Sequence, residues 1–231
     1  MPFVPALREG DAVPSVTLRD QRGRAIAFPP PGETTIVSFI YTRCKDASMC
    51  PLVAAKFARI QRSLGTASIR LVTVTLDPAY DSPRVLARYG EAYAADPAVW
   101  SLATGETAVI DELAARFGIT VERKTPGVVA HDEAAFVIDA RGRVATLVAG
   151  ATWAPEDVLA SARATAGADA SPLRRVSLWL GTSASALCGG AAGGPTVGAA
   201  LALMAGLTAV FGLTARRAFT RSPKPAVTSR R

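Results

Sequence analysis

A three-layer α/β domain is the fold class this sequence predicts for residues 1–170, on three observations. Short β-branched runs alternate with amphipathic stretches, the pattern of a sheet covered by helices on both faces. The composition, 49% apolar and 19% charged over 231 residues, supplies one well-buried core with room for an appendage. Three cysteines in a chain of this length cannot support a disulfide-stapled scaffold, so that core must be packed rather than stitched.

The elements follow in order. Val16–Leu18 and Ile26–Phe28 flank the turn residues Asp20, Gln21, Arg22 and Gly23, which predicts an edge hairpin. Thr34–Thr42, TTIVSFIYT, is a β-branched and aromatic run of the kind that fills a central strand. After a cysteine-containing loop, Pro51 opens a helix whose expected apolar positions are Leu52, Ala55, Phe57, Ile60 and Leu64. Ile69–Leu76 is the next strand, and Asp81-Ser82-Pro83 starts a helix carrying Val85, Leu86, Tyr89 and Tyr93. Thr107–Phe117 predicts a further helix stopped by Gly118. AAFVID and RVATLV, joined across Ala140–Gly142, read as a second hairpin, and Ala154–Ala166 as the closing helix. Hairpin, strand, helix, strand, helix, helix, hairpin, helix, with cysteines between a central strand and the following helix, is the layout of a thioredoxin-like domain.

Beyond residue 170 the composition changes. Residues 171–194 are rich in small residues, interrupted by Gly189, Gly190, Gly193 and Gly194, and read as a tether holding Cys188. Residues 195–215, PTVGAALALMAGLTAVFGLTA, carry no charge and predict a single transmembrane helix. Residues 216–231 hold six basic side chains and no acid, most of the net charge of +7, and form a basic cytoplasmic tail by the positive-inside rule. The domain is thereby expected on the periplasmic or extracytoplasmic side of a bacterial cytoplasmic membrane. MPFVPALREG at the start has no export signal, so one is expected upstream or already removed, with an anchor inserted the other way round as the alternative. With the charge concentrated in the tail, the body offers no basic groove, which excludes nucleic acid as a partner. One long apolar run excludes a multi-span transporter.

The chemistry concentrates in Tyr41-Thr42-Arg43-Cys44-Lys45-Asp46-Ala47-Ser48-Met49-Cys50-Pro51. Two thiols in a loop and at a helix start can approach each other, and the helix N-terminus is expected to favour a Cys50 thiolate, which disulfide exchange and soft-metal binding both require. A packing role or a static disulfide would account for the same residues. His131 is the single histidine of the chain. Placed before the strand AAFVID, it could join the thiols as a third ligand, with Asp132 or Glu133 orienting its ring; a surface or hydrogen-bonded role is the alternative. Two sulfurs and one nitrogen suit Cu(I), or Cu(II) with a weak added ligand, better than magnesium or calcium. Asp77 and Asp81 read as turn and cap residues near the cysteine loop, with an influence of Asp77 on thiol protonation as the sharper alternative. Trp100, Trp153 and Tyr41 read as packing residues, and Met49 as loop packing or a transient soft ligand. Tyr41, three positions before Cys44, is a phenol where a thiol peroxidase has a small aliphatic hydroxyl residue, which argues against that activity.

The segments GDAVPSVTLRDQRGR, VSFIYTRC, CP, TLDPAYDSPRVLARYGEAY, VWSLATG and HDEAAFVIDARGRV, in order over residues 10 to 160, carry a resemblance to the Sco/SenC family of thioredoxin-like copper-binding proteins that assist cytochrome c oxidase assembly. The resemblance implies that Cys44, Cys50 and His131 are copper ligands, with Cys44 and Cys50 as a redox pair. It implies a metallochaperone more than an enzyme, delivering copper to oxidase subunit II or another cupro-oxidase client, or reducing that client's cysteines. Two departures stand out: most of the family has C-x-x-x-C where this chain has C-x-x-x-x-x-C, and the family's usual anchor is N-terminal. The alternative function is an extracytoplasmic thiol-disulfide oxidoreductase, which needs both cysteines and not His131.

Overall fold

The computed structural model describes residues 5–125, 128–150 and 152–170. The expected tether, membrane helix, basic tail and Cys188 lie outside them. No helix among the described residues is long and apolar enough to cross a membrane.

Strands β1 (Val16–Asp20) and β2 (Ala25–Phe28) form the expected hairpin. Its turn is held by Asp20, whose Oδ1 accepts the backbone N–H groups of Arg22 and Arg24 at 2.9 Å each. Gly23 sits at φ 76°, a left-handed conformation that side chains resist. Strand β3 (Thr34–Ile40) is buried along its whole length, as a central strand flanked on both faces must be. It is two residues shorter than expected, because Tyr41 and Thr42 leave the sheet for the cysteine loop.

Helix α1 (Cys50–Ser63) begins at the second cysteine itself. Its buried face is Cys50, Val53, Ala54, Phe57, Ala58 and Ile60. Phe57, Ile60 and Leu64 are buried as expected, whereas Ala55 is exposed and Leu52 half-buried, because Cys50, rather than Leu52, sets the phase of the first turn. Strand β4 (Ile69–Thr75) and helix α2 (Pro83–Ala92) follow, and of the expected start Asp81-Ser82-Pro83 it is Ser82 that caps α2, accepting from the Val85 N–H. Gly90 on α2 meets Leu102 so closely that an added Cβ would lie 2.9 Å from its Cδ1.

Strand β5 (Trp100–Thr104) was not foreseen as a strand. Tertiary bonds supply what its mixed pattern lacks: the Gln21 side chain donates to the Trp100 carbonyl at 2.8 Å and accepts from the Leu102 N–H at 3.0 Å. Helix α3 (Thr107–Arg116) ends at Phe117 and Gly118, close to expectation. Strands β6 (Val121–Thr125) and β7 (Val128–His131) were also unforeseen and pair as a separate two-stranded sheet. Strands β8 (Ala134–Ile138) and β9 (Val144–Ala149) make the second expected hairpin, and α4 (Pro155–Ala170) closes the fold.

The main sheet has the order β2-β1-β5-β4-β3-β8-β9, with β3, β4 and β5 parallel and β8 antiparallel to β3. Register then assigns the two faces. Ile36 pairs with Leu71 and Leu71 with Trp100, and Trp100 packs on Phe57 of α1 with ring centroids 5.7 Å apart. The opposite face presents Phe39 and Phe136 to Phe117, at 5.2 and 4.6 Å. Helices thus cover both faces, and the chain leaves β3 for α1 at the end of the central strand, where an open α/β sheet gathers its chemistry.

Candidate metal centre

The loop from β3 to α1 is fastened before it reaches the first cysteine. Asp81, fully buried, accepts the Thr42 N–H at 3.1 Å and the hydroxyls of Thr42 and of Thr75, the latter at 2.5 Å. Burial pushes the Asp81 carboxyl above its ordinary value, and these three donors pull it part of the way back. Arg43 forms an ion pair with Asp77 at 2.5 Å and lies 4.1 Å above the ring of Tyr80. Of the two readings of this segment, Asp77 as a turn residue gains the specific task of holding Arg43, and Asp81 becomes a bolt between β4 and the loop rather than a cap.

Past this anchorage, residues 45–48 are exposed, and Ser48 donates through its N–H and hydroxyl to Asp46. Cys44 is half-buried and its Sγ lies 3.8 Å from the Asp46 carbonyl. It acts electrostatically on both the Tyr41 hydroxyl and the Cys50 thiol. Burial, reinforced by Cys44, pushes the Tyr41 hydroxyl up to about 12. Cys44 and Cys50 are both free thiols, so no disulfide spans the loop. Met49 occupies the cap position of α1 without a side-chain cap bond.

Cys50 is fully buried, and its Sγ lies 3.2 Å from His131 Nε2. His131 Nδ1 lies 2.9 Å from the Asp132 carbonyl oxygen, which can only accept, so the proton sits on Nδ1. Nε2 therefore turns a lone pair toward Cys50 and receives its S–H. Burial lowers the His131 pKa and favours the neutral ring that a metal ligand needs. Tyr41 supports the imidazole edge-to-face, with centroids 5.7 Å apart and planes at 83°.

His131 reaches this position at the end of β7, paired with Val121 of β6. The small sheet is tied to the main body by Arg123, which donates to the Leu76 carbonyl at 3.0 Å and pairs with Asp111 at 2.6 Å. Sequence reading brought His131 to the cysteine loop without seeing the hairpin that carries it. An aromatic residue three positions before Cys44 was visible as packing; its role as a wall for the imidazole was not.

Two expectations are corrected. The helix N-terminus does not make Cys50 a thiolate: burial pushes the thiol up, and the neighbouring Cys44 and Glu133 act in the same direction. Pro51 has no N–H to offer the sulfur, and desolvation exceeds what remains of the helix dipole. Nor does a carboxylate orient the ring, since the Asp132 main chain does so while its side chain accepts the Thr120 N–H at 3.2 Å. The Glu133 carboxylate, 8% exposed, has no hydrogen-bond partner on either oxygen among the described residues.

Cys50 and His131 thus meet directly, and Cys44 stands beside them on a looser segment. Among the described residues, no three His, Cys, Asp or Glu side chains are already gathered as a metal cluster. The donor chemistry, two thiol sulfurs and a neutral imidazole nitrogen with its other nitrogen fixed, fits a soft ion of low coordination number. The same two thiols can exchange with a disulfide.

Known proteins share this arrangement of elements. The sequence model described as SCO1/SenC matches residues 8–167. The SCO1 protein homolog of Bacillus subtilis (strain 168) is 25% identical over 134 residues, covering 55% of this chain and 68% of the relative. Among solved structures, BsSco, described as a member of the Sco family of cytochrome c oxidase assembly proteins with a disulfide switch, superposes with a TM-score of 0.61 at 22% identity, over 70% of this chain and 97% of its own. Bradyrhizobium japonicum ScoI, solved with copper bound, gives 0.56 at 21% identity, over 67% of this chain and 99% of its own.

Proposed function

The chain belongs to the SCO1/SenC family, and from that premise we propose that it is a membrane-tethered copper chaperone for the binuclear copper centre of cytochrome c oxidase, holding copper through Cys44, Cys50 and His131. The observation that carries the reading is the 3.2 Å approach of Cys50 Sγ and His131 Nε2, with Nδ1 committed to a carbonyl. Two of three donors are aimed at one point before any ion arrives. Loading would exchange protons for an ion: Cys50 and Cys44 would each release an S–H proton to solvent as its sulfur becomes a ligand, with the Cys50 sulfur and Nε2 already convergent. Cys44 then closes over the ion from the exposed loop, and the same mobile donor is the first to be exchanged for a ligand of the client. The anchor at 195–215 and the basic tail support an extracytoplasmic site of delivery, at subunit II or another cupro-oxidase client.

The second reading, thiol-disulfide oxidoreductase, is favoured by the unequal exposure of two free thiols. In it the Cys44 thiolate attacks a client disulfide, one client sulfur leaves as thiolate, and Cys50 displaces the second. The client gains two electrons and a dithiol while Cys44 and Cys50 become a disulfide. Copper stoichiometry on the reduced full chain, compared with His131→Ala and Cys44→Ser, separates the two. One tightly held copper per chain, lost or strongly weakened in both variants, is expected. A chain that retains no copper, and reduces a client disulfide equally well as His131→Ala, would leave the oxidoreductase.

A further inference from the structure

Glu133 is the one buried carboxylate beside the centre that the three-ligand reading leaves without a task. Its placement follows from register. Ser38 pairs with Ala135, on the same face of the sheet as Ile36, Leu71 and Trp100, the face that α1 covers. The ladder reaches one residue beyond β8, because the Gly150 N–H donates to the Glu133 carbonyl at 2.6 Å. Two residues before Ala135, Glu133 shares its side of the pleat and points beneath α1. Cys50 and Lys56 of that helix and Asp46 of the cysteine loop all lie within its electrostatic reach. Lys56 stacks its ammonium on the Trp153 ring at 4.4 Å, and neither Glu133 oxygen accepts a hydrogen bond among the described residues.

A carboxylate buried in this way destabilises the protein unless positive charge comes close. Lys56 supplies one such charge from α1, and the point on which Cys50 Sγ and His131 Nε2 converge, within reach of the same carboxylate, is a second place for it. We propose that Glu133 is a specificity-determining residue of the centre, favouring a divalent over a monovalent ion through its charge. The inference rests on the reading of Cys44, Cys50 and His131 as metal ligands. Coulomb attraction scales with the charge of the ion, so the free energy Glu133 contributes to a divalent ion is twice that for a monovalent one. For copper, the carboxylate thereby stabilises Cu(II) relative to Cu(I) and lowers the reduction potential of the bound ion.

The test uses the full reduced chain at pH 8 with two probes: Cu(I), titrated against a chromogenic chelator, and Co(II), a divalent ion that does not oxidise the thiols and reports thiolate ligation by its absorption. Glu133→Gln keeps the shape and removes the charge. The expected fall in affinity is about threefold for Cu(I) and about tenfold for Co(II), the square of the first factor. Glu133→Asp, which keeps the charge, should bind Co(II) more tightly than the Gln variant. Equal losses for the two ions, or no loss for either, would overturn the inference while leaving the ligand set intact. Wild type that binds neither ion would overturn the ligand reading itself. Near-ultraviolet circular dichroism guards against unfolding as the cause: a Gln variant that has lost the fold while Glu133→Asp binds both ions like Gln would count against a role for the charge.

Discussion

Cys44 and Cys50 are six positions apart and belong to two different mechanical regions. Cys50 opens α1, fully buried, against an imidazole whose tautomer is fixed by a backbone carbonyl. Cys44 lies half-exposed in a loop fastened at Thr42 and Arg43 on one side and free to solvent from Lys45 to Ser48 on the other. The difference teaches how a site can hold an ion and still release it. On the proposed ligand set, two donors would come from the packed frame and set position, and the third would come from an exposed segment whose movement would govern the rate of transfer.

The contrast can be broken most directly by alkylation. In the metal-free reduced chain, iodoacetamide should modify Cys44 at least about tenfold faster than Cys50, since Cys50 is both buried and held as the protonated thiol. Peptide mass spectrometry over time reads the two rates separately, and equal rates would mean that the frame does not protect Cys50.

A smaller effect is expected at the fastening. Asp81→Ala removes the acceptor of one main-chain N–H and two hydroxyls, leaving them buried without it. The loss should be about 1–3 kcal/mol in urea unfolding, with faster alkylation of Cys44 than in wild type. Unchanged stability would show that the loop does not depend on this bolt.

The smallest effect is a pH dependence at His131. Its folded pKa lies below the unfolded value of 6.5, so the unfolded chain takes up a proton first as pH falls. The stability this residue confers is complete above about pH 6.5 and declines as pH drops through it toward the folded pKa. Wild-type stability relative to His131→Asn, followed from about pH 8 to about pH 5, should fall. A rise would mean that the ring gains a charge partner in the folded state.

Much of the fold could be read from residues because local signals and tertiary packing agree in it. The runs at Thr34–Ile40 and Ile69–Thr75 are β-branched, and both hairpins carry their own turn chemistry. Strand β5 escaped because its pattern is mixed and its partners, β4, β1 and the Gln21 side chain, come from distant parts of the chain. Strands β6 and β7 escaped because Val121–Thr125, VERKT, is charged enough to read as a connection. At the centre, residue types suggested which side chains meet. They could not foretell the state of Cys50, because desolvation is a property of the assembled core, nor that Asp132 would use its main chain and leave Glu133 unpartnered.

The two turns at the rims of the sheet are written in the same letters. Asp20-Gln21-Arg22-Gly23-Arg24 and Asp139-Ala140-Arg141-Gly142-Arg143 each use aspartate Oδ1 to accept two backbone N–H groups, and each places glycine at φ 76°. Strands β2 and β9 are the outermost of the seven. Among the described residues no strand lies beyond β2, whereas β9 is covered at its start by residues 10–13, which bond to Gly142 and Val144; the rest of each edge is a template on which a second molecule could add its own sheet. Arg22 and Arg24 crowd the tip of one rim, Arg141 and Arg143 the tip of the other, and two copies approaching rim to rim would bring guanidinium groups together. A motif that reads as a simple reversal of the chain thus also places basic side chains at both rims of the sheet, a feature that disfavours edge-to-edge pairing.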